Sequence, residues 1–126
     1  MQHDVDVLVV GAGPVGLFLA CDLARRGIAV RLVDRNGGPT DLSKALGIHA
    51  RTMEAFQDLG IAERALERGL PIPSATFHSH RRQLGRVRFE RLESPYPFLL
   101  DLEQGQTERL LMEHLGELGG RDERNC

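Results

Sequence analysis

The six residues Gly11-Ala12-Gly13-Pro14-Val15-Gly16 constrain this chain most, because of what stands on either side of them. Ahead lies Val5 to Val10, a β-branched and nearly continuous apolar run of the kind carried by a strand buried on both faces. It reads as a first and central strand. Behind lies a stretch from Pro14 to Arg26 in which Val15, Leu19 and Leu23 recur at fourfold spacing beside Phe18, Ala20 and Ala24, before Gly27 supplies a stop. That is the pattern of a helix packed on a sheet. Ile28 to Asp34 repeats the buried-strand pattern, and strand, helix, strand within about 30 residues is the size of a parallel βαβ unit. The expected fold class is α/β, Rossmann-like and dinucleotide-binding.

A GxGxxG string alone is weak evidence, since glycine turns are common; its position between strand and helix gives it content. Gly11 permits the tight turn, Gly13 lets the backbone approach a pyrophosphate without a Cβ in the way, and Gly16 lets helix and strand pack closely. The helix N-terminus then offers unpaired N–H groups and partial positive charge to the phosphates. Pro14 costs no hydrogen bond in the first helical turn. Asp34 ends the second strand near the offset of about 20 residues expected of an acid that binds ribose hydroxyls. Its charge disfavours a 2′-phosphate, so NADP is not the expected ligand of this pocket, but the acid cannot separate FAD from NAD. For Arg35, stacking on adenine and a solvent-facing charge are both open.

Farther along, Asn36 to Asp41 is turn chemistry, followed by a helix-like stretch from Ser43 or His49 to Leu59 and a short helix over Ala62 to Arg68. Ala75 to His80 and Arg86 to Glu90 alternate around a polar, Gly-containing segment, which predicts an inserted antiparallel hairpin. Pro97 to Leu102 reads as another strand. Thr107 to Leu118 reads as an amphipathic helix with Leu110, Leu111, Met112, Leu115 and Leu118 on or near one face. An α/β sheet calls for a buried strand after that helix, yet Arg121 to Cys126 is mostly charged and unsuited to burial on both faces. The expected organisation is therefore an incomplete dinucleotide-binding domain over residues 1–120 and a polar tail over 121–126, with one flank of the first strand left unpaired; a complete small domain with a frayed polar end is the alternative.

The runs Asp6 to Leu17, Val33-Asp34-Arg35 and Ser43 to Glu54 together resemble the aromatic flavoprotein monooxygenases, which include para-hydroxybenzoate hydroxylase, pentachlorophenol hydroxylase and the hydroxylases of aromatic polyketide pathways. The similarity extends to about Gly119. Its discriminating part is Ser43 to Glu54, which a simple NAD-binding dehydrogenase has no reason to carry. The resemblance implies FAD as cofactor, NAD(P)H as reductant, O2 as co-substrate and a phenolic or polyketide ring as substrate. It also implies that Lys44, standing where the family has arginine, contacts the cofactor without arginine's planar fork. Gln104 matches the family's glutamine that bonds the cofactor near its pyrophosphate, with Gln106 as the fallback. Arg51 either reaches the cofactor or pairs with Glu54 on the same helical face, the second being favoured. The family's later FAD motif and most of its substrate domain are missing from these residues, so hydroxylation by the 126-residue chain alone is not expected. An NAD-binding module and a non-catalytic remnant are the alternatives.

Other classes are disfavoured. Hydrophobic residues at 41% and charged residues at 27% suit a globular domain rather than a disordered chain. The net charge of -2 is interspersed, which argues against nucleic-acid or anionic-lipid partners. No signal-peptide pattern or membrane-length apolar run is present, and Cys21 and Cys126 lack metal-ligand spacing; both points fit the cytoplasm. His78 and His80 share a strand face, but no third ligand accompanies them. No nucleophile–base pair is identifiable, so no catalytic side chain and no metal ligand is assigned.

Overall fold

The structure, a computed structural model, describes residues 5–42 and 47–126. In chain order the elements are β1 (Val7–Val10), α1 (Pro14–Arg25), β2 (Val30–Val33), β3 (Gly47–Ile48), α2 (Ala50–Leu59), α3 (Ala62–Arg68), β4 (Leu70–Ile72), β5 (Ser74–Ser79), β6 (Arg82–Arg88), β7 (Leu99–Asp101), α4 (Gln104–Glu117) and β8 (Asp122–Glu123). They form two compact units, one of residues 1–44 with 104–126, the other of residues 45–103.

The first unit holds a parallel sheet of order β1-β2-β8, with Val9 opposite Leu32. These two side chains are buried together with Leu17, Ala20 and Cys21 of α1 and Leu110, Leu111 and Leu115 of α4, and the two helices pack on each other. Successive strand residues point to opposite faces, so Leu8 and Val10 stand on the other side, where they are 56% and 78% exposed. One flank of β1 is unpaired among the described residues, as expected, while its central position and its burial on both faces are corrected. Among the described residues β1 is an edge strand with β2 in the centre, and only one face of β1 is covered. A run of valines fits both situations, because its composition reports that burial is tolerated, not that a second layer is present.

Helix α1 has the predicted extent but turns a different stripe inward. Leu17, Ala20 and Cys21 are buried at i, i+3, i+4 spacing, while Val15 and Leu19 are 83% and 43% exposed. The helix is apolar on several faces, so spacing alone did not select one. Its small residues are on the packed side. Burial pushes the Cys21 thiol up to about 11, and its S–H donates to the Leu111 carbonyl at 3.4 Å. Cys126 is exposed. An exposed thiol reacts as thiolate far faster than a buried one. A thiol-specific reagent is therefore expected to modify Cys126 within minutes in native protein and Cys21 only in denaturant, which peptide mass mapping would check.

The tail is also corrected. Asp122 and Glu123 form β8, parallel to β2 with Leu32 opposite Asp122 and Val33 opposite Glu123. The strand after the last helix thus lies beside β2, not on the flank of β1. Charged residues are accommodated because β8 is a half-buried edge with local partners: Arg31 donates to Glu123 at 2.5 Å, and Arg124 bonds Asp122.

The second unit combines α2 and α3 with an antiparallel sheet of order β3-β7-β4 and the β5-β6 hairpin. Met53, Phe56, Ile61, Ala65, Leu100 and Leu102 are its most buried apolar residues. The hairpin appears where alternation predicted it, with Ser74 opposite Arg88 and a bulge between Phe77 and His78. Strands β3 and β4 were not anticipated. Pro71 reads as a breaker, but β4 is an edge strand and tolerates it. Arg51 pairs with Glu54 at 3.0 Å, and Ser94 donates to the same carboxylate at 2.9 Å, which supports the structural role for Arg51. His78 and His80 are exposed, and no group of three potential metal ligands occurs among the described residues. No described helix is long and apolar enough to cross a membrane.

Candidate nucleotide-binding site

The turn after β1 uses its three glycines in three different ways. Gly11 has φ +106°, a left-handed conformation that other residues adopt only with strain. At Gly16 a Cβ would lie 1.8 Å from the Gly11 carbonyl oxygen, so helix and turn touch backbone to backbone. Gly13 needs neither freedom: its φ of -79° and ψ of -175° are ordinary extended values, and beyond its chain neighbours no atom lies within 4 Å of where its Cβ would be. What Gly13 contributes is open space beside the start of α1. That start has Gly13 as N-cap with no side-chain cap, Pro14 in the first turn and no acidic residue there. First-turn N–H groups and the positive end of the helix dipole are therefore available to an anion.

The structure brings Asp34 to this turn. Its Oδ2 accepts the Ala12 N–H at 2.7 Å and its Oδ1 accepts the Asn36 N–H at 2.7 Å. Those two bonds, the Asn36 bond foremost, hold the carboxyl below the usual range; partial burial opposes them, and the charges of Arg124 and Arg35 assist. A carboxylate has about four acceptor sites. With one taken on each oxygen, Asp34 retains capacity for two ribose hydroxyls. Arg35 is exposed next to it.

Gln104 is the first residue of α4, three positions earlier than the predicted helix start. Its amide Nε2 donates to Glu108 Oε1 at 2.8 Å, and Glu108 Oε2 accepts the Thr40 N–H at 2.9 Å. Glu108 is 3% exposed, so this carboxylate joins α4 to the loop after Asp34 from inside the unit. The helix start packs closely on that loop: a Cβ at Gly105 would lie 2.6 Å from the Thr40 carbonyl oxygen. Thr107 is buried in the first turn, and Gln106 is exposed. Lys44 lies outside the described residues.

Gly11, Gly13, Gly16 and Asp34 are thus gathered in one place, and Gln104 reaches the neighbouring loop through Glu108. Sequence reasoning missed the backbone donors Ala12 and Asn36, as well as Glu108 and Arg124. Glu108 had a signal, being an acid among the inward positions Thr107, Leu110 and Leu111. Arg124 had none, since its surroundings read as a solvated tail. An uncapped helix start, open space over Gly13 and a charged acid with spare acceptors suit the pyrophosphate and ribose of a dinucleotide.

Comparison with known proteins points the same way. The family described as FAD binding domain matches residues 4–125. The chain is 47% identical over 115 residues to 6-methylpretetramide 4-monooxygenase of Streptomyces rimosus, covering 90% of this chain and 21% of that protein. It is 39% identical over 113 residues to pentachlorophenol 4-monooxygenase of Sphingobium chlorophenolicum, covering 89% of this chain and 21% of that one. Among solved structures, p-nitrophenol 4-monooxygenase from Pseudomonas putida superimposes with a TM-score of 0.90 at 26% identity, over 99% of this chain and 33% of its own. Aklavinone-11 hydroxylase, solved with FAD and aklavinone, gives a TM-score of 0.80 at 30% identity, over 99% and 26%. The chain therefore spans about a fifth to a third of the proteins it matches.

Proposed function

Because this chain belongs to the FAD binding domain family, whose relatives are flavin-dependent aromatic and polyketide monooxygenases, we propose that its first unit holds the ADP half of FAD. Gly11, Gly13, Gly16 and the first turn of α1 take the pyrophosphate, and Asp34 takes the ribose hydroxyls. Arg35 lies against the adenine, while Lys44 and Gln104 contact the cofactor farther along. The observation that carries this assignment is the Asp34 carboxylate fixed on the Ala12 N–H, beside the space that Gly13 leaves open.

FAD in this family supplies the redox chemistry, accepting reducing equivalents from NAD(P)H and activating O2. A protein of the relatives' full length built on these residues would hydroxylate a phenolic or polyketide ring, in keeping with the substrates named for the relatives. The residues described here bind and orient. The α1 N-terminus neutralises phosphate charge, and Asp34 fixes the rotation of the ribose. A cytoplasmic setting belongs to the same proposal, supported by two cysteines unpaired in disulfides.

Flavin fluorescence titration of the 126-residue chain tests the reading. FAD is expected to bind through its ADP half, with ADP competing, and to bind more weakly than in full-length relatives; NADH or NADPH with a panel of phenols is expected to give no hydroxylated product. Asp34→Ala is expected to weaken FAD by about 1–3 kcal/mol, the scale of hydrogen bonds to a charged group. Unchanged affinity in a folded Asp34→Ala protein would remove the acid from the site.

A further inference from the structure

The last residues of the chain form a clasp around Asp34. The Asp34 N–H donates to the Glu123 carbonyl at 2.9 Å, and the Cys126 N–H donates back to the Asp34 carbonyl at 3.1 Å. From between them Arg124 turns inward, its side chain only 12% exposed. An arginine in that position needs partners, because an uncompensated buried charge is costly. It has several. Nε bonds the Asp122 carboxylate, Nη1 donates to the Gly38 carbonyl at 3.3 Å, and Nη2 lies 3.5 Å from Met112 Sδ on α4. Nη1 also stands 4.0 Å from Asp34 Oδ2, the oxygen that accepts the Ala12 N–H.

One side chain thereby touches the loop after β2, helix α4 and the field of the acid at the end of β2. We propose that Arg124 is a positioning residue of the dinucleotide pocket: its charge, 4.0 Å from Asp34 Oδ2, helps to hold the carboxylate seated on the glycine turn, ready for ribose hydroxyls, without touching the cofactor. The inference rests on the assignment of Asp34 made above. The geometry separates direct from indirect roles, because the guanidinium is occupied by Asp122, Gly38 and Met112 while its distance to Asp34 is one for charge rather than for a hydrogen bond. The charged groups that act on Asp34 are Arg124 from the tail and Arg35 from its own loop; the dipoles are the Ala12 and Asn36 N–H groups. Removing Arg124 takes away a positive charge 4.0 Å from Asp34 Oδ2 and leaves the Asp122 carboxylate without its partner.

The test uses the full 126-residue chain and two readouts. Carbon-13 NMR of the Asp34 carboxyl carbon reports its titration midpoint, and fluorescence titration reports FAD affinity. Arg124→Gln is expected to raise the midpoint and to weaken FAD by about tenfold, the free-energy scale of a one-unit change in a pKa. Arg124→Lys keeps the charge and is expected to hold the midpoint close to that of the parent and recover most of the affinity. Asp122→Asn removes the competing anion and is expected to move the midpoint in the opposite direction, which keeps the test decisive if Arg124→Gln does not fold. A midpoint indifferent to both charge changes would overturn the proposal, and so would a moved midpoint with FAD affinity unaltered. Weak FAD binding in both Arg124 variants with the midpoint unmoved would reduce Arg124 to a packing residue. If the parent chain itself binds no FAD, the functional assignment fails and this inference with it, and the parent titration identifies that failure directly.

Discussion

Replacing Gly13 by valine is expected to abolish FAD binding, a loss of at least about a hundredfold, while the chain stays folded. The backbone at Gly13 is extended with φ -79°, which valine adopts without strain, and beyond the chain neighbours no atom lies within 4 Å of the new Cβ. The cost to the fold is about 1 kcal/mol, since β-branched residues are poor N-caps compared with glycine. The cost to binding is steric. The two methyls occupy the space through which a pyrophosphate must reach the first turn of α1, and displacing the phosphates removes their hydrogen bonds to helix N–H groups together. Paired measurements check this: a urea melt little changed from the parent, and a flavin titration with no saturable signal. Retained affinity would mean that FAD, if it binds, binds elsewhere.

Gly16→Ala is expected to fail in the opposite order, by losing the fold first. Alanine in a helix ordinarily stabilises by about 1 kcal/mol relative to glycine. Here the added Cβ would stand 1.8 Å from the Gly11 carbonyl oxygen and 3.0 Å from its carbon. The obstacle is backbone rather than a side chain that can rotate away, and Gly11 is itself held at positive φ and bonded through its N–H to the Val33 carbonyl at 2.8 Å. Relief requires α1 to lift from β1, which opens the contacts of Leu17 and Ala20. The net effect is a destabilisation of roughly 3 kcal/mol or more, at the upper end of overpacking costs. It would be read as a lowered urea midpoint with loss of native amide protection in α1. A midpoint equal to or above that of the parent would show that the helix–turn contact is looser than the structure has it.

These two glycines look alike in the sequence and act through unrelated physics, which indicates where sequence reasoning stops. The motif, its placement between β1 and α1 and the offset to Asp34 were legible because each depends on local covalent geometry: a turn that needs glycine at 11 and 16, a helix that starts at Pro14, a strand that ends at an acid. The hairpin was legible from alternation, and α3 was predicted over its observed range Ala62–Arg68. Strand β4 was not, since Pro71 is disqualifying in a central strand and harmless at an edge, and edge status is a property of the assembled sheet.

The chain's own residues determined that it would be an α/β fold of the FAD-binding family, with the glycine turn between β1 and α1 and Asp34 directly after β2. Tertiary structure alone decided which stripe of α1 is buried, that β2 rather than β1 is central among the described strands, and that Asp122 and Glu123 pair with it despite their charge. It also decided that Glu108 holds Gln104 and that Arg124 stands beside Asp34. The physical reason is common to all of these. Periodicity and composition report what a segment tolerates, whereas burial, edge position and ion pairing depend on which distant segment arrives beside it.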